Sequence, residues 1–97
     1  VNLNFTFRHH EASDAVRTLV TDKLQKKLQP FLADGAELHV ILELDAGLQR
    51  AELTLVQKDL KTSARAESED MYKSVDQAIT KMRRQLRRHK ERRTDHR

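Results

Sequence analysis

The side chains best placed to do chemistry in this chain are cations. On a helical period Lys73, Gln77, Thr80, Lys81, Arg84, Arg87 and Arg88 fall on one side, opposite a stripe of Met71, Ile79 and Leu86. Such a row holds phosphate; it does not break bonds. Arginine predominates toward its end, and a guanidinium grips two phosphate oxygens with a planar fork where an ammonium acts as a point charge. The chemistry on offer is recognition of a polyanion through its backbone.

No catalytic constellation competes with that reading. His9 and His10 are adjacent, so in extended chain they point to opposite sides, and no carboxylate or further histidine stands at zinc-site spacing. They read as a loop or strand-edge pair. His89 lies on the apolar side of the last helical segment, one turn past Leu86, and reads as a partly covered helix-end residue or a phosphate contact. Ser13, Ser63, Ser68 and Ser74 have no glycine-framed elbow around them. With no cysteine, a disulfide framework, a thiolate metal site and a cysteine nucleophile are excluded, and a reducing compartment is expected. Two glycines and one proline leave no glycine-rich phosphate loop. The expectation is a binding protein: no enzyme, no metal, no cofactor, no small-molecule substrate.

Elements of two periods must position the cations. Leu3, Phe5 and Phe7 alternate with polar residues, predicting a short strand. Ser13 can cap a helix whose first turn holds Asp14, and Val16, Leu19, Val20, Leu24, Leu28 and Phe31 continue it for about four turns until Pro30 ends it. Lys27 falls near that apolar stripe, so its stem is expected along the core with its ammonium in water. Alternation then predicts strands through Leu38–Leu44, Ala51–Leu55 and Leu60–Ala66, antiparallel, with turns at Asp45-Ala46-Gly47 and Lys58-Asp59. Small residues Ala64 and Ala66 leave room for a helix to pack closely. Ser68 or Asp70 can cap the last helix, whose apolar positions run from Met71 to Leu86 over four turns. The order is βαβββα, an α+β two-layer sandwich with a four-stranded sheet and two helices on one face.

Ninety-seven residues, 37% hydrophobic, suffice for one modest core and no second domain. No apolar run approaches the roughly 18 residues of a membrane helix, and no signal peptide opens the chain, so a cytoplasmic protein without a membrane partner is expected. The net charge of +4 is unevenly placed. Residues 1–80 hold 10 Lys+Arg against 13 Asp+Glu, a net −3, and residues 81–97 hold 9 against 2, a net +7. That asymmetry points to nucleic acid. Four aromatics, three of them at core positions Phe5, Phe7 and Phe31, leave only Tyr72 to stack on bases. The ridge therefore reads phosphates and duplex shape, and structured RNA is the expected ligand.

The segment Ala64-Arg65-Ala66-Glu67-Ser68-Glu69-Asp70-Met71-Tyr72, then Val75-Asp76 and Arg84-Gln85-Leu86-Arg87-Arg88-His89-Lys90, resembles the family of ribosome hibernation-promoting factors and ribosome-associated inhibitors, also labelled sigma-54 modulation proteins. The likeness extends upstream through Leu3-Asn4-Phe5, the helix start at Ser13 and Arg50-Ala51-Glu52-Leu53-Thr54-Leu55. The resemblance implies a fold similar to double-stranded RNA-binding domains, agreeing with the order derived above. It also implies a stress or stationary-phase translation inhibitor that docks on the small ribosomal subunit, contacts its rRNA, and covers the channel for messenger and transfer RNA.

On that resemblance the rRNA-binding positions are Lys23 and Lys26 on the first helix, with Lys81, Arg84, Arg88 and Lys90 on the second. Arg87 points the same way, and Lys27 and Lys73 are added from helix geometry. Residues 1–90 would form a single ribosome-binding domain, monomeric when free, and residues 91–97 a basic C-terminal tail. The chain shows neither the inhibitor-type tail nor the long-form dimerisation domain, which points to the short type, working with a ribosome modulation factor to pair ribosomes. A start at Val1 without Met leaves a trimmed long form as the alternative. The rival functions are a general structured-RNA-binding module or RNA chaperone, and a basic partner for an acidic protein.

Overall fold

The strand and helix periods resolve into seven elements in the computed structural model, which describes residues 1–95. In chain order they are β1 (Asn2–Arg8), α1 (Asp14–Leu28), a 3-10 turn (Gln29–Phe31), β2 (Glu37–Asp45), β3 (Leu48–Gln57), β4 (Leu60–Ser68) and α2 (Met71–Asp95). One sheet forms in the order β1-β2-β3-β4. β1 runs parallel to β2, with Phe5 opposite Val40 and Phe7 opposite Leu42, while β2, β3 and β4 are antiparallel as expected.

The hairpin turns fit the strand twist. Ala46 and Gly47 both take positive φ, 51° and 82°, as a two-residue hairpin of this hand requires, and Lys58 takes φ of 46° between β3 and β4. Inward residues of three strands, Leu38, Val40, Leu42, Ala51, Leu53, Leu55, Ala64 and Ala66, are buried on one face together with Met71, Val75, Ala78, Ile79, Met82 and Leu86 of α2. α2 lies over β3 and β4 with α1 beside it, giving the two-layer α+β sandwich.

The structure corrects three expectations. Lys27 is exposed and does not run along the core. The buried residues of α1 are Val20, Leu24 and Leu28, a strict four-residue spacing. Since four residues turn more than one helical repeat, the buried line drifts about 40° per step and has left Lys27 behind by the last turn. β1 is an edge strand, so Leu3, Phe5 and Phe7 are half-buried against the core and not within it, and Phe31 is likewise half-buried. Two polar side chains cover the flank of Phe7: the Arg17 guanidinium lies 5.4 Å from its ring centroid, and the His10 ring stacks at 5.9 Å. Finally α2 is far longer than four turns. It has 25 residues, roughly 37 Å, while its buried positions stop at Leu86. No glycine or proline interrupts it, so it projects past the sheet, carrying residues 91–95 of the expected tail; residues 96–97 lie outside the described residues.

Candidate nucleic-acid interface

A cationic row is useful only on a rigid support, and α2 is fastened from its first turn as far as Gln85. Asp70 Oδ1 accepts the Tyr72 amide hydrogen at 3.0 Å, capping the first turn, and Ser68 Oγ accepts from the Asp70 amide at 3.2 Å. The fully buried Ser74 donates its hydroxyl to the Gln49 carbonyl at 2.6 Å, and Thr62 Oγ1 donates to Gln85 Oε1. Further along, Lys81 Nζ donates to the Arg65 carbonyl at 2.9 Å. These contacts seat one flank of α2 on β3 and β4. On the opposite flank Asp76 pairs with Lys23 of α1 at 2.6 Å, so the two helices are tied side by side.

All six predicted cations of α2, Lys73, Lys81, Arg84, Arg87, Arg88 and Lys90, are exposed, as are Lys26 and Lys27 in the last turn of α1. The lysine pair also meets the negative end of its own helix dipole. The expected single ridge is two flanks with a crest. Lys81 faces β4, and Arg88 follows it by two turns; Arg87 follows Asp76 by three turns and faces α1. Lys73 and Arg84 stand between. Among the described residues Lys26, Lys27, Lys73, Arg84, Arg87 and Arg88 have no ion-pair partner. Lys23 differs: its side chain is 29% exposed and its ammonium is bound by Asp76.

Sequence reasoning missed Arg83. It is exposed, seven residues after Asp76 and four before Arg87, and so stands on the flank turned toward α1. Extending the charged side by one helical position would have found it. Arg50, by contrast, is no phosphate ligand. It lies on the open face of the sheet among Glu67 at 3.0 Å, Glu43 at 2.8 Å and Asp45 at 3.7 Å. Hydrogen bonds to Glu67 and then Glu43 push its pKa above the usual guanidinium range.

The open sheet face bears Asn4, Thr6, His39, Ile41, Glu52 and Thr54 and no Phe, Tyr or Trp side chain among the described residues, so it lacks the paired aromatic base-stacking platform of sheet-surface RNA binders. Tyr72 is exposed, at the first turn of α2. The arrangement can therefore clasp a phosphate backbone between and along two fixed helices. No helix among the described residues is long and apolar enough to cross a membrane.

Comparison with known proteins gives a consistent result. The family described as sigma 54 modulation protein / S30EA ribosomal protein matches residues 3–94. The ribosome hibernation promoting factor of Salmonella typhimurium is 32% identical over 96 residues, 99% of this chain and 100% of that protein. The ribosome hibernation promotion factor of Lactococcus lactis is 33% identical over 95 residues, 95% of this chain and 51% of that longer protein. Among solved structures, a ribosomal subunit interface protein from Coxiella burnetii has a TM-score of 0.84 at 25% identity, covering 94% of this chain and 99% of that one. The N-terminal domain of Thermus thermophilus Protein Y has a TM-score of 0.83 at 26% identity, covering 92% and 99%.

Proposed function

The chain belongs to the sigma 54 modulation protein / S30EA ribosomal protein family, a regulatory and non-enzymatic one, and from that membership we propose that it is a ribosome-binding hibernation factor. It docks on the small ribosomal subunit, contacts rRNA through the two-helix cationic face, and blocks messenger and transfer RNA by occupying their volume. Translation is thereby inhibited under stress or in stationary phase, in the cytoplasm, and a separate modulation factor joins in pairing the idle ribosomes. The observation that carries the reading is the set of exposed cations Lys26, Lys27, Lys73, Arg84, Arg87 and Arg88, which have no ion-pair partner among the described residues and are held at fixed spacing on α1 and α2. Each phosphate they neutralise releases counterions, which supplies affinity without chemistry. A rigid body held this way needs no catalytic group.

The test is sedimentation with purified small subunits. Co-migration that transfer RNA competes away supports the plug; co-migration indifferent to transfer RNA rejects it in favour of a general structured-RNA binder or RNA chaperone.

A further inference from the structure

The outer edge of the sheet carries a feature that the two helices do not account for. β4 has no neighbour on its far side, and a notch with a volume of about 360 Å³ wraps that edge, lined by Arg50, Arg65, Ala66 and Glu67 from the sheet and by Gln77 and Lys81 from α2. Arg65 lies opposite Glu52 in the β3–β4 register and so belongs to the open face, whereas the buried Ala66 and α2 belong to the other. The notch brings side chains from both faces to one place.

Its charges are unequal. Glu67 is the one carboxylate in the lining, and Arg50 already neutralises it, with Nε and Nη2 each 3.0 Å from Glu67 Oε2. Arg65 is exposed, and among the described residues its guanidinium has neither a hydrogen-bond nor an ion-pair partner. Lys81 is held without being used up. Its ammonium gives one hydrogen to the Arg65 carbonyl at 2.9 Å, which leaves two donors, and no carboxylate among the described residues pairs with it. An ammonium fixed in this way loses little further freedom on meeting a ligand. Gln77 adds an exposed amide, also without a partner among the described residues.

A guanidinium fork, a positioned ammonium and a neutral amide donor around a small notch match a phosphodiester group. We infer that this notch takes a single backbone phosphate of the bound RNA, gripped by the Arg65 guanidinium with the Lys81 ammonium and the Gln77 amide beside it, so that the RNA footprint continues off the helices and over the edge of β4. The inference rests on the RNA-binding reading and deepens it, adding a strand residue, Arg65, to a face otherwise built from helices. Helical spacing could not have pointed to it, and the alternation of β4 turns Arg65 toward the opposite side of the sheet. The contact is to backbone and carries no base preference.

Filter binding of the chain to purified small subunits across a salt series decides the matter. Arg65→Gln should weaken binding about fivefold at about 100 mM salt and make affinity less steeply dependent on salt. Arg65→Lys keeps the charge but loses the fork, and should recover part of that loss. Lys61→Gln is the control. It removes the same charge from the same face of β4, four residues away and outside the notch; that is about 13 Å along the strand, beyond the screening length at this salt, so binding should change by less than about twofold. Because Arg65 is exposed and its side chain holds nothing in the fold, the variants should melt with the parent. Unaltered affinity in Arg65→Gln overturns the inference, as does an equal loss in Lys61→Gln, which would assign the effect to net charge. Either result leaves the parent's own binding to small subunits standing, whereas a parent that binds no subunits rejects the ribosome reading and the notch with it.

Discussion

Lys23 Nζ lies 2.6 Å from Asp76 Oδ1, and this contact joins the two helices that carry the cationic face. Both partners are partly exposed, so the pair stabilises the fold by less than about 1 kcal/mol. Its larger effect is to mask one cation and to set one anion within the face. Asp76→Asn should therefore strengthen binding to small subunits about threefold despite the lost ion pair, and Lys23→Ala should cost more affinity in that background than in the parent. A double-mutant cycle read by filter binding checks both. Weaker binding by Asp76→Asn would mean instead that the bridge positions the helices.

Reversing Lys81, Arg84 and Arg88 together to Glu should abolish small-subunit binding while leaving the helical circular-dichroism spectrum intact, because all three are exposed and outside the core. For the parent chain, about six to eight phosphate contacts imply an affinity loss of orders of magnitude between about 50 and 200 mM salt. A flat salt response would point to an acidic protein as the partner.

Ala66→Leu should destabilise the domain by about 1–3 kcal/mol, because Ala64 and Ala66 are buried where α2 crosses β4 and added methylenes have nowhere to go. Urea unfolding measures it. An unchanged midpoint would show that the helix does not approach the strand as closely as these small residues allow.

Asp70→Ala should cost about 1 kcal/mol, since the Tyr72 amide then loses its acceptor at the first turn of α2. Asp70→Asn, which keeps an oxygen at the same place, should restore most of it. Thermal melts of the two variants make the comparison, and equal losses in both would assign the effect to charge and not to the cap.

Much of the architecture was legible from period alone. Leu38 to Leu44 alternate in a way that only a one-faced strand satisfies, and Met71 to Leu86 repeat as only a helix does. Ser13 and Pro30 marked helix boundaries, and Ser68 or Asp70 a third, because capping and the missing proline amide act within a few residues; the structure decides for Asp70. The parallel pairing of β1 with β2 was not legible, since an edge strand's own alternation is the same whichever neighbour it takes.

The candidate interface divides the same way. That residues 81–97 carry the positive excess, and that Arg84 and Arg88 face away from the core, are properties of local order and helical spacing, and the sequence alone determined them. Which cations are open to a ligand was decided only in three dimensions. Lys23 is held by a carboxylate 53 residues away, Lys81 by a carbonyl of β4, and Lys90 stands over Phe31. Those contacts arise because two helices and a sheet share one core, and the distance between residues remote in sequence is set by packing, which no local period encodes.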